Sequence, residues 1–141
     1  MVNVLISTDT RYPVNRKVIR SAILETFKEQ KLQDLDLEVS VAVVGERKMK
    51  ELSSKYLGDL EKHAVLAFAL ESATDEVVPQ REENLGKGFV NPPDGVLRLG
   101  DVVLCWPELM ETAAREDVLV DEELYLLTCH GVKHLLGYHH E

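Results

Sequence analysis

Apolar positions Val18, Ile19, Ala22, Ile23 and Phe27 recur at three- and four-residue steps. The stretch from about Val14 to Lys31 therefore reads as an amphipathic helix, with Arg16, Lys17 and Arg20 off its buried stripe. Strict alternation follows. Leu37, Val39, Val41 and Val43 are separated by Glu38, Ser40 and Ala42, the period of a strand with one buried face, and Gly45 closes it. Helical spacing returns from about Glu46 to Tyr56, anchored by Met49 and Leu52 and stopped by Gly58. Val2 to Ser7 suits a short strand leading into turn chemistry at Thr8 to Pro13. Val65 to Leu70 reads as another strand, although Ala67 and Ala69 leave a helical reading open.

Within Leu97 to Cys105, Asp101-Val102-Val103-Leu104 is apolar on both faces and belongs at the centre of a sheet. Pro107 suits the first turn of a helix over about 107–116. A last helix starts near Asp117 or Asp121, either of which suits its cap, and runs to Leu136. From Glu71 to Arg98 there is no periodicity, and Pro79, Pro92, Pro93, Gly86, Gly88 and Gly95 interrupt it. Connections this long inside a domain are functional, mobile, or conceal a small hairpin. Gly86-Lys87-Gly88 is too short for a phosphate loop. The interleaved elements predict an α/β fold in one domain, 1–141, with a single mixed, mainly parallel sheet of about four strands covered by helices.

Composition adds a few bounds. With 45% apolar and 29% charged residues, 141 residues build a core without staples. Cys105 and Cys129 are too few for a disulfide framework and form no Cys-x-x-Cys pair, which favours a reducing compartment and buried thiols. No apolar run approaches the roughly 18 to 20 residues of a membrane span, and Met1 to Ser7 has neither a basic leader nor a long apolar region. A cytoplasmic protein with no membrane partner and no small organic cofactor is expected. The net charge of −9 argues against a uniformly basic nucleic-acid surface. It leaves room for local basic clusters at Arg11, Arg16, Lys17 and Arg20 and at Arg47, Lys48, Lys50 and Lys55.

Four of the five histidines lie in the segment from His130 to Glu141. On a helix, His130 and His134 project from one face a turn apart. Gly137 offers a left-handed stop that turns the chain back and brings His140 to the same point. Three neutral imidazoles with a fourth position left to water make a catalytic rather than a structural zinc site, so Zn2+ and hydrolysis are expected. The spacing His130-x3-His134-x2-Gly137-x2-His140 is that of the metzincin peptidases, which carry glutamate after the first histidine. Here that position is Gly131, which weakens a protease reading.

The stretch His130-Gly131-Val132-Lys133-His134-Leu135-Leu136-Gly137-Tyr138-His139-His140 resembles the signature His-Gly-x-Leu-His-Leu-x-Gly-Tyr-Asp-His of the YbeY family of metal-dependent endoribonucleases. Leu99-Gly100-Asp101-Val102-Val103-Leu104 resembles that family's Leu-Gly-Asp-Ile strand, and Met49 to Phe68 its Met-x-x-Leu-Asn-x-x-Tyr-Arg segment and the strand beyond. The resemblance implies a zincin-like metal site on the C-terminal helix, with His130, His134 and His140 as ligands and His130 in the catalytic machinery. It also implies single-strand-specific cleavage of ribosomal RNA, in rRNA maturation and ribosome quality control. Departures are local. The family's arginine after the tyrosine is Leu57, its Thr, Asp and Ser near the strand are His63, Ala64 and Ala67, and the signature's aspartate is His139.

His63 is a candidate proton donor or phosphate contact, Arg98 a candidate phosphate contact, and His139 a competitor of His140 for the third ligand position. Asp101 either orients a ligand or fixes the start of its strand. Cys129, on a different helix face from His130, is by default a packed thiol. Two other readings stand beside the nuclease: a metal-dependent hydrolase of another substrate class, metallopeptidase-like, and a non-catalytic, metal-stabilised ribosome-binding module.

Overall fold

A computed structural model describes residues 2–69 and 96–137. In chain order these form β1 (Val2–Thr8), α1 (Arg16–Glu29), β2 (Leu37–Val44), α2 (Glu46–Leu57), β3 (Val65–Ala69), β4 (Leu97–Cys105), α3 (Trp106–Arg115) and α4 (Val120–Leu135). The strands make one mixed sheet in the order β1-β2-β4-β3. β1 pairs with β2 and β2 with β4 in parallel, whereas β3 runs antiparallel to β4. The expected α/β fold with a mainly parallel four-stranded sheet is therefore present, and β4 occupies the interior position its two apolar faces demanded. Val65–Ala69 is strand rather than helix.

Two layers cover the sheet. Ile19, Ile23 and Phe27 of α1, Leu109 of α3, and Leu124, Val132 and Leu135 of α4 pack with Val39 and Val41 of β2 and Val102 and Leu104 of β4. Each fully buried Leu, Ile or Phe contributes about 1.5–3 kcal/mol, so this face holds the larger share of the stability. α2 closes the opposite face through a smaller cluster of Met49, Leu66, Val103 and Cys105.

The ends of the elements differ from the expectations where side chains intervene. α1 covers its apolar period but is shorter than the expected span from about Val14 to Lys31: Asn15 caps it, accepting from the Lys17 N–H at 3.1 Å, and Lys31 adopts φ 60° beyond its end. Neither Asp117 nor Asp121 caps α4. Asp117 sits in the preceding turn at φ 57°, and Asp121 Oδ2 instead accepts from Asn15 Nδ2 at 3.1 Å, tying the starts of α1 and α4 together. The α4 cap is Leu119, whose N–H donates to Glu122 Oε1 at 3.1 Å. Gly58 stops α2 as expected, at φ 72° with its N–H on Ser54 O.

β4 carries one extra residue. Arg98 pairs with Glu38 but Gly100, not Leu99, pairs with Val39, a bulge that Gly100 accommodates at φ 140°. Strict alternation would put Asp101 on the face of Leu97 and Leu99. The bulge instead returns Val102 and Leu104 to that core face and leaves Asp101 exposed on the α2 side.

Candidate metal centre

His130 and His134 occupy the last turns of α4, four residues apart. Their Nε2 atoms lie 3.1 Å from each other, with ring centroids 4.7 Å apart and planes at 51°. Both residues are half-buried. An ion bound at about 2.0–2.1 Å to each of two tetrahedral nitrogen ligands needs them about 3.4 Å apart. The observed pair is within a few tenths of an ångström of that separation, so the donors fit a zinc ion.

Gly131 explains why the helix can present them here. A Cβ at this position would stand 2.6 Å from Val102 Cγ1 and 3.2 Å from Val65 Cγ2, so the missing side chain lets α4 close on β3 and β4. After the helix, Gly137 has φ 93° and its N–H bonds His134 O at 3.0 Å, the left-handed stop its position suggested. The expected third ligand, His140, and its competitor His139 lie outside the described residues. Among the described residues, no group of three His, Cys, Asp or Glu side chains converges as a metal site.

His134 opens onto a cleft of about 770 Å³ that runs along β3. Tyr56 and Leu57 of α2, Phe68 of β3 and Asp101 of β4 line it from the other side. The position where the family arginine was expected is thus an apolar wall: Leu57 is half-exposed and faces this space. Tyr56 is 55% exposed, with its ring centroid 5.0 Å from that of Phe68. This aromatic pair was not singled out from the sequence. Its signal was the position of Tyr56, seven residues past Met49 and three past Ser53, which carries the stripe that those two bury into the last turn of α2.

The other candidates are placed as follows. Asp101 pairs with Phe68 and Ser40 in the sheet and faces the cleft from the α2 side. His63 lies before the first residue of β3, whereas His134 shares its cleft with Ala67 and Ala69 further along that strand. The His63 Nε2 is 3.0 Å from Asp59 Oδ1, and Ser53 Oγ–H donates to the same carboxylate. The hydrogen bond from Ser53, then that from His63, holds the Asp59 carboxyl below its ordinary value. His63 also lines a small recess with Cys105 and Glu108, where burial pushes the Cys105 thiol up. Arg98 stands at the start of β4 with its Nε 3.3 Å from Glu38 Oε2, and is not among the described residues lining the His134 cleft. Cys129 turns toward α1, its Sγ 3.7 Å from Ala22 O, as a packed thiol would. No described helix is long and apolar enough to cross a membrane.

Comparison with known proteins gives a consistent set of relatives. The family model described as Endoribonuclease YbeY matches residues 6–141. A curated Endoribonuclease YbeY from Dehalococcoides mccartyi strain 195 is 33% identical over 145 residues, covering 99% of this chain and 78% of the relative. One from Halalkalibacterium halodurans is 29% identical over 140 residues, covering 99% and 82%. The solution structure of a Thermotoga maritima protein is similar in fold, with a TM-score of 0.55 at 23% identity over 100% of this chain and 75% of that one.

Proposed function

Because the chain belongs to the Endoribonuclease YbeY family, we propose that it is a zinc-dependent, single-strand-specific endoribonuclease that acts on ribosomal RNA during its maturation and in ribosome quality control. The observation that carries this reading is the 3.1 Å separation of the His130 and His134 Nε2 atoms beside an open cleft. In this reading His140 completes the ligand set and the protein works in the cytoplasm. When bound, a zinc ion lowers the pKa of a coordinated water to about 7, supplying a base or nucleophile at neutral pH.

The chain's own residues do the rest. α4 holds two imidazoles one turn apart on a helix fixed by its buried face, so little ordering remains to be done when the ligand arrives. The cleft, about 770 Å³, is of a size that suits an unpaired nucleotide. A peptidase reading has less support, because a glutamate side chain after His130 would start from a Cβ 2.6 Å from Val102 Cγ1.

The test measures metal content and cleavage of single-stranded ribosomal RNA for the wild type beside His134→Ala. Loss of both zinc and cleavage in the variant is expected. Equal zinc in the two proteins would overturn the ligand assignment, and a zinc-loaded wild type that leaves RNA intact would overturn the nuclease reading.

A further inference from the structure

We propose that Tyr56 and Phe68 form a platform on which one unpaired base of the RNA stacks, across the cleft from His134. This inference rests on the endoribonuclease reading above and names how the substrate is held. α2 buries Met49 and Ser53 against the sheet and sends Tyr56 to the cleft, where more than half of its surface is open to solvent. The Phe68 ring supports it at 5.0 Å with the planes at 54°, a tilted aromatic contact. Lys55 Nζ lies over the Tyr56 ring, 5.2 Å from its centroid, a cation beside the exposed aromatic surface.

Charge selects which part of a nucleotide meets this wall. The described residues lining the cleft include no lysine or arginine, and their one carboxylate is Asp101. A phosphate against Asp101 and Leu57 would be repelled on one side and unpaired on the other. A base suits both, since rings stack on aromatic faces and base N–H groups donate to a carboxylate. The wall therefore takes bases, and the backbone runs on the histidine side.

The experiment compares zinc-loaded wild type, Tyr56→Leu and Tyr56→Phe for binding of a labelled single-stranded RNA, followed by fluorescence anisotropy. A matched RNA with abasic sites flanking the cleaved bond is the second probe. Tyr56→Leu is expected to bind the intact RNA about 5- to 150-fold more weakly, the range for loss of one stacked base. Tyr56→Phe is expected to keep wild-type affinity, and the difference between Tyr56→Leu and wild type to vanish on the abasic RNA. Wild-type affinity in Tyr56→Leu, or an equal loss on intact and abasic RNA, would overturn the platform. Failure of the wild type to bind any RNA would instead overturn the nuclease reading beneath it.

Discussion

Gly131→Ala tests the contact that seats the histidine helix on the sheet. The new Cβ would stand 2.6 Å from Val102 Cγ1 and 3.2 Å from both Val102 Cγ2 and Val65 Cγ2. Val102 is 0% exposed and lies between Val41 and Ala67 in the sheet, so its methyl groups have nowhere open to go. Overpacking of this kind costs about 1–3 kcal/mol. Alanine returns about 1 kcal/mol over glycine in a helix interior. The net expectation is a loss of about 1 kcal/mol. The sign is decided in a Val102→Ala background, where the closest methyl groups are gone and Gly131→Ala is expected to stabilise by up to about 1 kcal/mol. Urea denaturation of the four proteins measures the coupling, expected at about 2 kcal/mol, within the range for residues in contact. Zinc affinity should follow the same pattern, falling in Gly131→Ala and recovering in the double variant. A Gly131→Ala protein at least as stable as wild type, or a coupling of zero, would refute the close seating of α4.

Two further predictions concern stability. Burial, then the charge of Glu116, raises the Glu123 carboxyl above its ordinary value. A raised carboxyl opposes folding above its folded pKa, and that cost fades as pH falls through the raised value and is gone below the ordinary carboxylate range near about 4. The urea midpoint of Glu123→Gln should therefore gain on wild type between about pH 4 and pH 7; a constant difference across that window would refute it. Asn15→Ala removes the α1 cap and the bond to Asp121 and should cost about 0.5–2 kcal/mol in the same assay. Asp121→Ala should cost less in that background than alone, and an equal cost would show that the bridge contributes nothing.

The elements that bury a single stripe or face were legible in the sequence. α1, β2 and α2 follow from Ile19-Ile23-Phe27, from the alternation Leu37 to Val43, and from Met49 with the left-handed Gly58, because each pattern is set locally. The histidine pair was legible for the same reason, since four residues on a helix fix the separation. What the sequence did not reveal depends on pairing between distant segments. The cap of α4 passes to Leu119 because Asp121 is engaged by Asn15, 106 residues away. The Tyr56–Phe68 pair exists only because α2 packs over β3. Asp101 reaches the cleft through a shift in register with β2 that no period along β4 announces.

That shift gives β4 a slack point. Losing Leu99, between Arg98 and Gly100, would straighten the ladder and keep the faces of the rest of the strand, at the cost of one buried core side chain, because Leu97 and Val102 already pair where a regular strand would put them. Losing one residue downstream, at Val103 for instance, would swap the faces of everything beyond it. Tolerance to a change in length is therefore confined to the head of the strand, and Leu104 and Cys105 keep their faces only while the count after Gly100 is kept.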